Sequence, residues 1–282
     1  MELFGKDMFG NEIKPQTGSV LVDEFIEPPF SVLNANGKRW NARKRAWINQ
    51  GIQSELGRDI CRTRLISACE YVPDRFRKTT ASVFDPVLCE IMYTWFCPEG
   101  GQILDPFAGG SVRGIVAHKL DRQYYGIELR AEQVAANREQ STEPTWIEGD
   151  SLDKLPDAPE ADFLFTCPPY GNLERYSDDP RDISNMSYED FIDTYRNIIL
   201  LSIEKLIGEY AVFVVGNFRD KDGYYHHLVG DTVSAFEQGG MRLYNDIILL
   251  TPTGTAAMIS RGHFNKSKKV TKTHQNVLVF KH

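Results

Sequence analysis

Ile103-Leu104-Asp105-Pro106-Phe107-Ala108-Gly109-Gly110-Ser111 is the stretch on which the fold turns. A short apolar run ends in an acid and a proline, and two glycines follow. Bounded by turn residues, the run reads as a strand. Gly109 and Gly110 permit positive φ and let a ligand approach the backbone closely. A helical stretch follows near 112–120. Strand, glycine turn and helix in that order predict the start of a crossover unit.

The alternation continues outward. Further apolar runs are Tyr124–Glu128, Thr145–Ile147, Asp162–Thr166, Tyr210–Gly216, Leu243–Thr251 and Asn276–Lys281, with helical spacing near 130–140, 187–207 and 225–238. Upstream, Phe84 to Phe96 has helical spacing, and Asp85 and Pro86 suit its first turn. Residues 252–274 show no helix-sized periodicity and read as a long loop, so the last two runs are expected to pair antiparallel. These features predict a Rossmann-like α/β domain over 81–282, with a seven-stranded mixed sheet and helices on both faces. Residues 1–37, punctuated by Gly5, Gly10, Pro15, Gly18, Pro28 and Pro29, read as an irregular arm, and 1–80 as an N-terminal basic extension.

Composition excludes several classes. The chain has 282 residues, of which 41% are hydrophobic and 25% charged, enough for a sizeable core. No apolar run approaches the ~20 residues that span a bilayer. The N-terminus lacks the order of a signal peptide, and a cytoplasmic location is expected. Five cysteines without a CxxC pair argue for reduced thiols, and against a disulfide frame or a metal site. A net charge of −7 argues weakly against nucleic-acid binding, but the charge is unevenly spread. Residues 38–78 concentrate arginines and lysines (Arg39, Arg43, Lys44, Arg62, Arg64, Arg75 among them) with Trp40, Trp47 and Tyr71 interleaved. This segment is either a DNA-contacting arm or a helical layer packed on the sheet.

The first strands end in a distinctive set of acids. Glu128 closes the second run roughly 20 residues beyond the glycine turn, where a carboxylate can accept from two ribose hydroxyls. Gly149-Asp150 closes the third, where a side chain can take an adenine amino group. Asp105 adds negative charge. The G-x-G-x-x-G phosphate cradle is missing, so the pattern suits a nucleoside without a pyrophosphate and with a cationic end. A structural turn with a solvated Glu128 is the plainer alternative.

The fourth run ends in Cys167-Pro168-Pro169-Tyr170. Two prolines stop the sheet and stiffen the backbone. The amino group of a base has its lone pair delocalised into the ring. It needs acceptors that draw the nitrogen out of plane, and a surface to stack on. The Pro168 carbonyl and Cys167 can accept, and Tyr170 can stack. Direct methyl transfer would then rest on proximity and desolvation.

These residues resemble the amino-methylating DNA methyltransferases, the N6-adenine and N4-cytosine family. Its hallmark is Asp, Asn or Ser followed by Pro-Pro and an aromatic. Ile103 to Gly110 is similar to the family's DPFxG cofactor motif, through Asp105, Pro106, Phe107, Gly109 and Gly110. Phe84-Asp85-Pro86 to Met92 resembles the helix that supports the methionine end of the cofactor, and Lys272 to Asn276 the C-terminal signature. The resemblance covers about 80–282. It implies a class I fold and S-adenosylmethionine as cofactor, with Phe84, Asp85, Asp105, Glu128 and Asp150 toward it. It implies Cys167, Pro168, Pro169 and Tyr170 toward a flipped base in DNA, expected to be double-stranded. Such enzymes carry out DNA modification, in some cases as half of a restriction-modification pair.

One departure is Cys167. It is nearly isosteric with the serine of cytosine-N4 enzymes, but a weaker acceptor. Attack by its sulfur on C6 of a pyrimidine, and a core thiol in an inactive paralogue, are the alternatives. Residues 171–186 read as a lid bearing Tyr176 or as a connector, Asn217 as a substrate contact or a turn residue, and His226 and His227 as surface residues beginning a helix. The segment with Arg261, His263, Lys266, Lys268, Lys269 and Lys272 reads as a track for phosphates or as a solvated loop. Without room for a large recognition domain, sequence reading is expected from these loops and the arm, or from a partner subunit or second copy. An RNA or protein amide methyltransferase, and a non-catalytic nucleic-acid-binding subunit of the same fold, are the rival functions.

Overall fold

The computed structural model describes residues 4, 19–53, 84–171, 176–251, 254 and 256–282. In chain order the elements are α1 (Val20–Phe25), β1 (Val32–Asn34), α2 (Lys38–Asn49), α3 (Pro86–Phe96), β2 (Gln102–Asp105), α4 (Val112–Lys119), β3 (Gln123–Glu128), α5 (Ala131–Gln140), β4 (Thr145–Glu148), α6 (Ser151–Lys154), β5 (Ala161–Thr166), α7 (Tyr188–Glu204), β6 (Leu206–Val215), β7 (Phe218–Arg219), β8 (Tyr225–His226), α8 (Leu228–Gln238), β9 (Arg242–Leu250), α9 (Ala256–Ser267) and β10 (His274–Lys281).

The main sheet has the order β1-β9-β10-β6-β5-β2-β3-β4. β4, β3, β2, β5 and β6 run parallel, and β10 lies antiparallel between β6 and β9. The order reverses beside β2. Its carboxyl end therefore faces the crevice where open α/β sheets bind ligands. The α/β class, the mixed sheet and the antiparallel final pair agree with expectation. The count does not: Val32–Asn34 of the presumed irregular arm adds an eighth strand, pairing parallel with Ile248–Leu250.

Alternation along the central strands feeds two cores. Ile103, Phe163, Phe165, Val212, Val214, Val277 and Val279 face one layer with α3 and α4. Leu104, Leu164, Ala211, Phe213, Leu278 and Phe280 face the other with α7 and α8. Both faces of the central strands are buried, which is why they read as near-continuous apolar runs.

Local chemistry sets the helix starts. Asp85 caps α3 by accepting from the Val87 N–H, with Pro86 in the first turn. Ser187 caps α7 by accepting from the Asp190 N–H.

Helix α2 is a layer of the fold. Trp40 and Trp47 are 1% and 0% exposed. Arg43 makes a bidentate pair with Glu90 at 2.6 Å, Trp47 Nε1 donates to the same carboxylate at 2.7 Å, and Arg39 pairs with Glu27. The cations of 38–49 that face inward are thus neutralised by acids of neighbouring segments. Lys38 and Arg45 of α2 are exposed, and Arg58, Arg62, Arg64, Arg75 and Arg77 lie in 54–83, outside the described residues.

Two other expectations change. The loop expected at 252–274 contains α9, a mostly exposed helix without an apolar stripe to mark its period. His226 lies in the short strand β8, and His227 precedes α8 as its N-cap. Among the described residues no helix is long and apolar enough to cross a membrane, and no cluster of His, Cys, Asp or Glu could hold a metal ion.

Candidate active site

The glycine turn leaves β2 at Asp105 and enters α4 after Ser111. Gly109 has φ of 52°, a left-handed conformation that side chains disfavour. The turn lies directly on β3, since a Cβ on Gly126 would sit 2.8 Å from that of Ala108. Its backbone is held from both sides. Gly109 N–H donates to Glu128 Oε2 at 3.0 Å, and Asn137 Nδ2 donates to the Gly109 carbonyl at 2.8 Å. Ser151 Oγ donates to the Pro106 carbonyl at 2.5 Å.

Glu128 ends β3 beside this turn, with 13% of its side chain exposed. Burial pushes its carboxyl above the usual glutamate range, opposed by Arg130 and the Gly109 N–H. Asp150 follows β4 and caps α6, Oδ1 accepting from the Leu152 N–H at 2.9 Å. Both acids are part-exposed at adjacent strand ends. They form a donor set suited to vicinal hydroxyls and an amino group, with the glycine turn between them and β2.

Asp105 has a different place from the one expected. It is 0% exposed, beneath the turn. Oδ1 accepts from Thr166 Oγ1 at 2.5 Å and the Phe107 N–H at 3.1 Å, while Oδ2 accepts from Arg113 Nε at 2.5 Å and Tyr124 OH at 2.6 Å. Arg113 Nη2 also donates to the carbonyls of Phe107 and Ala108. Asp105 is therefore a buried, fully satisfied anchor instead of a surface charge toward a ligand's cation. Asp85 is likewise engaged, accepting from Trp40 Nε1 at 3.2 Å and Lys44 Nζ at 3.0 Å. Phe84 packs edge-on against Phe165, with the Arg113 guanidinium 4.7 Å from its ring centre.

The Asp105–Thr166 bond joins the two motifs. Thr166 is the last residue of β5, and Cys167-Pro168-Pro169-Tyr170 follows it. Pro168 is buried, whereas Cys167, Pro169 and Tyr170 are part-exposed. Cys167 Sγ lies 3.8 Å from Tyr170 OH, and Gln275 Nε2 of β10 donates to that hydroxyl at 2.6 Å. Burial pushes the Tyr170 phenol well above its usual range, so it stays neutral.

The structure thus brings Pro106, Phe107, Gly109, Gly110, Glu128, Asp150 and the Cys167–Tyr170 loop to one edge of the sheet. It leaves Asp105 and Asp85 behind that edge, as ties. Sequence reasoning missed Arg113, Tyr124 and Thr166. An arginine amid Val112, Gly114, Ile115 and Val116 was the available signal, because an isolated charge in an apolar helix needs a buried partner. It also missed Gln133 and Asn137, both 0% exposed, which buttress the turn.

Asn217 lies between β6 and β7, and its Oδ1 accepts from the Val229 N–H in the first turn of α8 at 2.9 Å. Residues 176–186 are cross-linked around Asp182, which accepts from Ser177 and Ser184. The rest of the expected lid, 172–175, lies outside the described residues.

No family model matches the chain, and no curated protein does. Solved structures share its general shape. TrmN from Thermus thermophilus is 14% identical with a TM-score of 0.47, over 70% of this chain and 49% of that one, so this chain spans about half of that protein's length. A TehB-like SAM-dependent methyltransferase from Corynebacterium glutamicum is 15% identical with a TM-score of 0.44, over 86% and 98%. Magnesium protoporphyrin IX methyltransferase from Synechocystis PCC 6803 with bound SAM is 10% identical with a TM-score of 0.43, over 70% and 79%. At these values, function has to be read from this chain's own geometry.

Proposed function

We propose that this chain is an S-adenosylmethionine-dependent methyltransferase that methylates an exocyclic amino nitrogen, cytosine N4 or adenine N6, of a flipped base in duplex DNA. The observation that carries the reading is the Asp105 clamp. One buried carboxylate ties the start of the glycine turn to Thr166, and so fixes the Cys167-Pro168-Pro169-Tyr170 loop beside the turn. For a reaction that needs only two ligands held in line, such fixation is the main catalytic resource.

The donor set fits the cofactor. Glu128 would accept from the ribose hydroxyls and Asp150 from the adenine amino group. The glycine turn lets the ligand lie against the backbone and offers no phosphate cradle. When bound, S-adenosylmethionine supplies an electrophilic methyl on a sulfonium.

The protein's own groups act on the base. The Pro168 carbonyl accepts one amino hydrogen and Cys167 Sγ the other, turning the nitrogen lone pair toward the turn. Tyr170, neutral and held by Gln275, presents its ring for stacking. Cys167 takes the serine position of the family pattern and needs no covalent bond to substrate. The test is transfer of labelled methyl from S-adenosylmethionine to unmodified DNA and, separately, to RNA and protein. Incorporation into DNA that falls in Tyr170→Ala is expected. Incorporation into RNA or protein alone would overturn the DNA assignment.

A further inference from the structure

The carboxyl edge carries a second surface that neither the cofactor acids nor the Pro-Pro loop uses. β6 reaches that edge at Val215 and continues into the β7–β8 hairpin. β10 begins there, since Asn276 pairs with Val215, and β9 ends there, since Leu250 pairs with His274. Helix α9, between β9 and β10, therefore stands at the same edge as Cys167.

From Thr251 to His274 the sequence contains no acid, while it holds Arg261, Lys266, Lys268, Lys269 and Lys272, in a chain of net charge −7. Arg261, His263, Phe264, Lys266 and Lys268 are exposed. None of the five cations forms an ion pair among the described residues. In α2, by contrast, three of the five cations, Arg39, Arg43 and Lys44, are each paired with an acid.

The segment is also aimed. The Lys269 side chain lies against Gly223 of the hairpin. Lys272 is part-buried over Gly216, and its ammonium donates to the Asn217 carbonyl at 3.1 Å. Beside it, Thr271 Oγ1 is buried with no hydrogen-bond partner among the described residues. Three residues beyond Lys272, Gln275 bonds Tyr170. The hairpin contributes Tyr224, 75% exposed, and Tyr225, with the Arg219 guanidinium 4.0 Å from the Tyr225 ring centre.

A row of cations without ion pairs among the described residues, flanked by aromatic faces and ending at a base-stacking tyrosine, complements a regularly spaced polyanion. We propose that α9 and the β7–β8 hairpin form the docking surface for the phosphodiester backbone of duplex DNA, with Lys272 holding the phosphate beside the target nucleotide. This rests on reading the site as one for a nucleic-acid base, and it assigns the backbone-binding role to α9 instead of α2.

The test is fluorescence anisotropy of the full chain with a short labelled DNA duplex over a series of salt concentrations. A Lys266→Gln/Lys268→Gln/Lys269→Gln triple variant should lower the slope of log affinity against log salt by about 2–3, and Lys272→Gln by about 1, at ~0.9 for each phosphate that is no longer neutralised. Thermal melting, unchanged from wild type in each variant, shows that the fold is intact. Slopes equal to wild type would overturn the proposal, as would tighter binding of single-stranded RNA than of duplex DNA. A lowered slope in a protein that transfers no methyl would keep the docking surface and refute the activity.

Discussion

Asp105→Asn isolates the clamp. The substitution keeps the shape of the side chain, removes its charge and replaces one acceptor by a donor. It leaves Arg113, with 5% of its side chain exposed, as a buried cation without its partner, and sets the new amide against Arg113 and Tyr124 or against Thr166. Breaking a buried ion pair from one side costs about 3–5 kcal/mol. At roughly 2–4 °C per kcal/mol for a chain of this size, the melting temperature should fall by about 6–20 °C. Combining Asp105→Asn with Arg113→Gln should recover part of that loss, because no unpaired charge remains while amide groups stay available to Tyr124, Thr166 and the turn carbonyls. Thermal and denaturant unfolding measure the cycle. Asp105→Asn within about 1 kcal/mol of wild type, or a double variant less stable than the single by a further ~3 kcal/mol, would refute the reasoning.

Glu128→Gln should weaken S-adenosylhomocysteine binding by about 10- to 150-fold in calorimetry, the worth of a hydrogen bond to a charged group; unchanged affinity would remove Glu128 from the cofactor site. The same variant has a signed pH effect. Burial raises the Glu128 pKa in the folded state above its unfolded value, so the stability it contributes is present below the unfolded pKa and lost as pH rises through the folded one. Relative to wild type, Glu128→Gln should therefore gain stability from acid to neutral pH; a flat or falling difference in denaturant titrations would contradict the shift. Tyr170→Ala should cost roughly 5- to 150-fold in methyl transfer, from ~1–3 kcal/mol of forfeited stacking, while Tyr170→Phe, which gives up only the hydroxyl's bonds to Gln275 and Cys167, should cost less; equal effects would point to the hydroxyl instead. Trp47→Ala should destabilise by about 3–5 kcal/mol, since the ring is 0% exposed and its N–H bonds Glu90; a change under 1 kcal/mol by unfolding would show that α2 is not a structural layer.

The central sheet could be read from the chain because both its faces are buried, so β2, β5, β6 and β10 announce themselves as apolar runs. Edge strand β1 could not: three residues with alternating burial, Val32 and Asn34 exposed, carry too little pattern. Helix α9 escaped for a related reason, since a helix that is mostly exposed has no apolar face to set a period. Glu128, Asp150 and the Pro-Pro loop were legible because each ends a strand that could itself be seen. The role of Asp105 was not. Its charge suggested a ligand, but whether a carboxylate meets solvent or an arginine depends on side-chain packing, and Arg113, Tyr124 and Thr166 come from three different elements. For α2, a run of basic residues hid the acids, Glu27, Asp85 and Glu90, that arrive from elsewhere in the chain.

Nucleoside mass analysis of DNA treated with the wild-type chain and with Cys167→Ser, each supplied with S-adenosylmethionine, tests direct transfer to an amino nitrogen most directly. The account predicts N4-methylcytosine or N6-methyladenine from both proteins, because serine can replace the thiol as acceptor. A methyl on cytosine C5, lost in Cys167→Ser, would contradict it and make Cys167 a covalent nucleophile.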